Sequence, residues 1–249
     1  MKFKKKATKI LRRLFPSLLP PEYYAKSARK QIDIRTMQPF AQLAGQVIQD
    51  RRTRLYYDRL YTIFQALQNM QRIHRPGMSI AEVGVYRGGG SRFMATVVRE
   101  LGLPDVELHC FDTFEGHAKQ DLSVERDNCQ VHSAGLFGDT SLESVQAYLA
   151  DLKSVHLHKG RIQDNAGRVA DKMFGFVHLD VDLYDPTLFA LEFFDSRLAL
   201  GGTMVVDDFD CTTCVGIRDA VEEFLQKRPH YAAYALLSAQ CVLVKFQAN

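Results

Sequence analysis

Two short apolar runs in the last third of the chain each end in a pair of carboxylates. Phe174-Gly175-Phe176-Val177-His178-Leu179 runs into Asp180-Val181-Asp182, and Thr203-Met204-Val205-Val206 runs into Asp207-Asp208. A helix-like segment and a Gly201-Gly202 turn separate them, a pattern that predicts neighbouring buried strands of a parallel sheet. Ligands of such sheets bind beyond the carboxyl ends of the strands. Acids gathered at one mouth repel one another, so a divalent cation is their natural partner. Taken singly, each Asp reads as a turn or cap residue. The recurrence on both strands favours a site.

A second constellation lies upstream. Ala81-Glu82-Val83-Gly84-Val85-Tyr86-Arg87-Gly88-Gly89-Gly90-Ser91 marks a strand turning into a helix. Glycines there let backbone approach a ligand, and the helix start offers unpaired N–H groups. The spacing is not the dinucleotide G-x-G-x-x-G, which argues against a pyrophosphate cradle. The next predicted strand ends in Phe111-Asp112-Thr113-Phe114-Glu115-Gly116, where an acid can accept from a ribose diol. Glu82 suits an ammonium group. Ribose, no diphosphate and an amino-acid tail describe S-adenosylmethionine better than a nicotinamide dinucleotide.

These segments, with Leu179-Asp180-Val181-Asp182-Leu183-Tyr184-Asp185-Pro186-Thr187, Val206-Asp207-Asp208-Phe209 and Gly216-Ile217-Arg218-Asp219-Ala220-Val221-Glu222-Glu223-Phe224, resemble the macrocin O-methyltransferase family. The resemblance runs from about residue 50 to the C-terminus. It implies the Rossmann-like class I methyltransferase sheet, seven strands with the last antiparallel. It also implies S-adenosylmethionine and Mg²⁺ as cofactors, and a sugar hydroxyl of a glycosylated natural product or glycan as acceptor. By resemblance, the methionine end falls on Glu82 and Gly84, with Tyr86, Gly88 and Ser91 of the same turn, and the ribose on Asp112. The adenine falls near Gly160-Arg161-Ile162-Gln163-Asp164, giving Gln163 and Asp164, and Asp180 completes the cofactor set. Mg²⁺ falls on Asp180, Asp207 and Asp208, and Asp182 is the implied general base. Asp185 stands where Glu is commoner in the family, and the Cys211–Cys214 loop is not a family feature. Family members are often oligomeric.

Methyl transfer from a sulfonium to an alcohol has a good leaving group and a weak nucleophile. A metal that lowers the hydroxyl pKa, and a carboxylate that takes the proton, answer that weakness. A catechol-like phenol offers the same chelating pair of oxygens and is the nearest alternative acceptor. A non-catalytic adaptor held at membranes by a basic arm, and a nicotinamide dehydrogenase, are alternatives from other classes. His178, inside a strand, reads as a core group, whereas His117 and His132 sit on a long loop that could close over a substrate. Arg218 reads as a structural ion-pair partner.

The elements that must position these residues follow the order of a doubly wound sheet. Residues 1–30 form a basic arm, 31–77 a helical extension or lid, and 78–249 the methyltransferase domain. Across Met37 to Ile73 the pattern is helical, with Leu55, Tyr56, Leu60, Ile63, Phe64 and Leu67 on one face and Arg75-Pro76-Gly77 as the stop. Strands are expected at 78–85, 106–111 and 155–158, with a helix at 91–101. The irregular stretch 116–139 is long enough to be functional or disordered. Thr140-Ser141-Leu142-Glu143 has capping-box spacing for a helix to Leu152. A helix over 215–226 and an antiparallel pair at 231–237 and 241–246 close the chain.

With 46% hydrophobic and 24% charged residues in 249, the chain is of ordinary globular composition. Much of the net charge of +3 sits in Lys2 to Arg13, leaving a body close to neutral, which argues against nucleic acid as main partner. That arm could touch an anionic membrane, but Pro16 cuts its helix short and favours a solvated arm. Five scattered Cys make no disulfide framework, and Cys211-Thr212-Thr213-Cys214 reads as two thiols on a loop. Neither a membrane span nor a signal peptide is legible, so a cytoplasmic protein is expected.

Overall fold

The computed structural model describes residues 33–248. The basic arm expected over 1–30 lies outside the described residues. The strands are β1 (Met78–Val83), β2 (Leu108–Asp112), β3 (Val155–Lys159), β4 (Met173–Leu179), β5 (Leu198–Val206), β6 (Tyr231–Ala235) and β7 (Cys241–Lys245). They form one seven-stranded sheet in the order β3-β2-β1-β4-β5-β7-β6. β1 to β5 pair in parallel, whereas β7 runs antiparallel to both β5 and β6. The strand order reverses between β1 and β4, the crevice where open α/β sheets bind ligands.

Helices α1 (Phe40–Gln49), α2 (Tyr57–Ile73), α3 (Gly89–Glu100) and α4 (Leu142–Tyr148) precede β3, and α5 (Ile162–Asn165), α6 (Tyr184–Asp195) and α7 (Val215–Gln226) follow it. One core packs Phe40, Leu60, Ile63 and Leu67 of α1 and α2 against Phe93 of α3 and Ile80, Phe176 and Val205 of the sheet. The opposite core joins Ala81, Val177, Leu179 and Met204 to Leu191 and Phe194 of α6 and to Ile217 and Phe224 of α7. Each fully buried Phe or Leu contributes on the order of 2 kcal/mol from removed apolar surface. α1 and α2 thus build the core itself.

The structure corrects four expectations about elements. The helix expected across Met37 to Ile73 is two helices, broken by residues 50–56, where Arg51 takes a left-handed backbone (φ 54°). Leu55 is buried but lies in that break, not on the helix face. Gly201-Gly202 is not a turn before the strand: both lie within β5, which starts at Leu198. Side chains there would collide, since a Cβ on Gly202 would stand 2.7 Å from the Ala199 carbonyl oxygen. Finally, Ser141 rather than Thr140 caps α4, accepting from Ser144 N–H at 3.2 Å, and the helix ends at Tyr148. The Thr140 hydroxyl is taken by the Tyr86 carbonyl at 2.8 Å, so the cap falls one residue later.

Candidate active site

A cavity of about 310 Å³ opens at the carboxyl edge of the sheet, over the ends of β1, β2 and β4. Backbone strain concentrates along that edge. Tyr86, Phe114, Asp182 and Asp208 follow β1, β2, β4 and β5, and each has a left-handed backbone, with φ of 52°, 55°, 61° and 60°. Such non-glycine residues cost free energy and cluster where a fold aims side chains at a ligand.

The first wall is the glycine turn. Gly84 has φ of +91°, and a Cβ there would stand 1.8 Å from the Asp180 carbonyl oxygen, so only glycine lets β1 and β4 end side by side. Asp112, half-buried at the end of β2, ties two turns together. One of its oxygens accepts from Val85 and Tyr86 N–H at 2.7 and 2.8 Å, the other from Phe114 N–H at 2.6 Å. With four acceptor positions on a carboxylate, one remains for a ligand hydroxyl. Glu82 is buried and accepts from the Ser91 hydroxyl. Burial pushes the Glu82 carboxyl up, against the pull of His178 and Ser91.

The second wall is acidic. Period-two alternation puts His178 and Asp180 on one side at the end of β4, and the left-handed turn at Asp182 leaves its carboxylate beside that of Asp180. One carboxylate oxygen each of Asp180, Asp182 and Asp208 lies within 4.8 Å of the others, and His178, Asp180 and Asp207 form a second such group. Burial and the charges of Asp207 and Asp208 hold the Asp180 carboxyl well above the usual range. Burial and Asp208 push Asp182 up to about 7. Asp207 is instead pulled down despite its burial, by His178, Arg59 and Gln240. Its Oδ1 accepts from Gln240 Nε2 at 2.6 Å and lies 3.3 Å from His178 Nε2, and its Oδ2 accepts from Arg59 at 3.1 Å. Burial opposes charge on His178, but Asp207 and Glu82 on either side outweigh it and raise its pKa to about 10.

Hard carboxylate oxygens in this number, incompletely neutralised by Arg59 and His178, fit a Mg²⁺ ion. The glycine turn with its buried carboxylate and the Asp112 acceptor fit the amino-acid tail and ribose of S-adenosylmethionine.

Of the residues expected at the site, Glu82, Gly84, Tyr86 and Asp112 line the cavity on one side and Asp180, Asp182 and Asp208 on the other. Gly88, Ser91 and Asp207 are not in the cavity wall; Ser91 donates to Glu82, and Asp207 is bonded by Arg59 and Gln240. Gln163 and Asp164 are not in the cavity wall. Gln163 donates at 2.9 Å to Asp121, which lines the cavity and also accepts from Arg161. Arg218 is an ion-pair partner of Asp210 and Glu222, over the Phe209 ring.

Sequence reasoning missed three participants. Arg59, on α2, bonds Asp207 and Asp208, the latter at 2.6 Å. Gln240, before β7, fixes Asp207. The strap Arg52-Thr53-Arg54-Leu55 crosses the glycine turn, with the Arg52 carbonyl accepting from Gly89 N–H at 3.1 Å. No local signal marked the strap, because Leu55 and Tyr56 fit the helical spacing of the residues that follow. The loop 116–139 forms the roof, with His117 in the cavity wall and His132 buried behind it, their ring nitrogens 3.2 Å apart. His117 Nε2 lies 3.9 Å from Asp182 Oδ2. Asp127 pins that loop to the start of α6 by accepting from Tyr184 N–H at 2.9 Å.

A family model described as macrocin O-methyltransferase (TylF) matches residues 38–244. The chain belongs to that family. This macrocin O-methyltransferase family member is 32% identical over 157 residues to the 8-demethyl-8-(2,3-dimethoxy-alpha-L-rhamnosyl)-tetracenomycin-C 4'-O-methyltransferase of Streptomyces olivaceus. The match covers 60% of this chain and 58% of that relative. It is 25% identical over 174 residues to the mycinamicin III 3''-O-methyltransferase of Micromonospora griseorubida, covering 67% of each. Among solved structures, the O-methyltransferase NovP superposes with a TM-score of 0.69 at 23% identity, over 80% of this chain and 83% of that one. A calicheamicin methyltransferase gives 0.60 at 17% identity, over 88% of this chain and 98% of the other. At those identities the likeness is one of fold: the class I O-methyltransferase sheet with helices on both faces. Among the described residues no helix is long and apolar enough to cross a membrane.

Proposed function

We propose that this chain transfers a methyl group from S-adenosylmethionine to a sugar hydroxyl of a glycosylated small molecule, with Mg²⁺ held by Asp180, Asp207 and Asp208. The observation that carries this reading is that one cavity joins the Glu82–Asp112 wall to the Asp180–Asp182–Asp208 wall. Family membership supports it, as does a relative whose name specifies a rhamnosyl-bearing acceptor.

When bound, S-adenosylmethionine supplies an activated methyl group and Mg²⁺ supplies Lewis acidity toward the acceptor hydroxyl. The chain does the rest. Glu82 faces the cofactor's ammonium group, and the free acceptor position of Asp112 takes a ribose hydroxyl. Asp182 removes the acceptor's proton; its carboxylate lies in the same acidic cluster, with one oxygen within 4.8 Å of those of Asp180 and Asp208. Arg59, Gln240 and His178 hold Asp207 in place from behind. The roof loop, through His117, Leu136 and Phe137, keeps water from the reacting atoms.

The test is incubation with isotopically labelled cofactor and two acceptor sets, glycosides and simple catechols, each with and without chelator, followed by mass analysis. Labelled glycoside that disappears with chelator is expected. Labelled catechol with untouched glycosides would overturn the acceptor class.

A further inference from the structure

The turn after β5 carries two thiols, Cys211 and Cys214, that the methyl-transfer chemistry above does not call on. Cys211 Sγ, Cys214 Sγ and a carboxylate oxygen of Asp208 all lie within 4.8 Å of one another. Backbone bonds hold them so: Cys211 N–H donates to the Asp208 carbonyl at 3.0 Å, and Cys214 N–H to the Cys211 carbonyl at 3.2 Å. Both thiols are free. Cys214 is buried, whereas Cys211 is half-buried and leaves a way in from solvent. His132 closes the far side, its Nε2 3.6 Å from Cys214 Sγ and 3.1 Å from the Thr213 carbonyl.

Tetrahedral ligands at ~2.3 Å from zinc stand about 3.8 Å apart, so this spacing needs only small side-chain rotations to bind. Two sulfurs and one carboxylate are a much softer set than the three carboxylates beside them. Magnesium prefers the oxygens, and zinc or cobalt the sulfurs.

We propose that Asp208, Cys211 and Cys214 form a second divalent-cation site, for a thiophilic ion such as Zn²⁺ or Co²⁺. On binding, each thiol releases its proton to solvent as its sulfur–metal bond forms. Three protein ligands leave one position open. The site shares Asp208 with the magnesium cluster, so its occupation withdraws that carboxylate and inhibits methyl transfer. The inhibition rests on the magnesium reading above; the binding does not.

The experiment titrates the reduced, chelator-stripped full chain with Co²⁺ and follows the thiolate-to-cobalt charge-transfer absorption in the near ultraviolet. One equivalent should saturate the band, Cys211→Ser and Cys214→Ser should each abolish it, and Cys129→Ser should leave it. In the unmutated chain, where folding is not in question, Zn²⁺ should shield Cys211 and Cys214 but not Cys129 from alkylation. No band, a band that survives both substitutions, or unshielded thiols would overturn the site. Zinc should also inhibit magnesium-supported turnover at least tenfold more strongly in the unmutated chain than in Cys211→Ser. Binding without that difference would remove the shared role of Asp208 and leave the soft site standing.

Discussion

Arg59 donates to Asp208 at 2.6 Å and to Asp207 at 3.1 Å, placing one guanidinium from α2 against two carboxylates beyond β5. Asp207 is fully buried and Arg59 largely so, and the pair anchors the N-terminal helices to the acidic end of the sheet. Removing one partner of such a buried pair leaves an uncompensated charge, which costs about 3 to 5 kcal/mol. Arg59→Met should therefore lower the melting temperature of the metal-free chain, and added Mg²⁺ should restore more of it than in the unmutated chain. Calorimetric melts with and without Mg²⁺ read this directly. A variant as stable as the parent would mean that the acids do not depend on Arg59.

The acidic strand ends, the glycine turn and the alternation of strands and helices were legible in the sequence because each is a local pattern. Arg59 was not. It lies on an amphipathic helix, 148 residues from Asp207, and nothing in its neighbours marks it as more than a solvated charge. Gln240 was hidden for the same reason. The break at residues 50–56 escaped because Leu55 and Tyr56 fit helical spacing, although Leu55 is buried from an extended strap. The capping shift from Thr140 to Ser141 turned on a distant acceptor, the Tyr86 carbonyl. His178 was read as a core side chain, and it is buried; its position between Glu82 and Asp207 depends on the register of β1 with β4.

Gly90 faces the Glu82 carboxylate so closely that a Cβ there would stand 2.3 Å from Oε1. Gly90→Ala must displace that carboxylate or the helix start. Cofactor affinity should fall at least tenfold while the fold persists, as measured by titration calorimetry and circular dichroism. Unchanged affinity would separate Glu82 from the cofactor.

Asp112 accepts three backbone N–H bonds, so Asp112→Ala should do two things. Lost charge-assisted bonds should cost about 1 to 3 kcal/mol of stability, and cofactor affinity should drop with them. Asp112→Asn, which keeps an acceptor oxygen, should recover part of both. If chemical denaturation shows no loss in the alanine variant, the carboxylate does not hold these turns.

Burial, reinforced by the charges of His156 and His158, pulls His109 down to about 4, whereas an unfolded His titrates near 6.5. Between those values the unfolded chain binds a proton at this position that the folded chain does not. Stability is therefore lost as pH falls from about 6.5 toward 4. Denaturant melts at pH 7, 6 and 5 should show a shallower acid decline for His109→Gln than for the parent. Parallel declines would contradict a neutral buried imidazole.

The central claim, that the clustered aspartates serve a metal and a proton transfer beside a bound methyl donor, is tested most directly on Asp180→Asn. Its turnover of a glycoside acceptor should fall by at least about 10²-fold and no longer respond to Mg²⁺, a much larger loss than calorimetry shows for S-adenosylmethionine affinity. A variant that keeps magnesium-stimulated turnover, or one that loses cofactor binding and turnover in equal measure, would contradict the account.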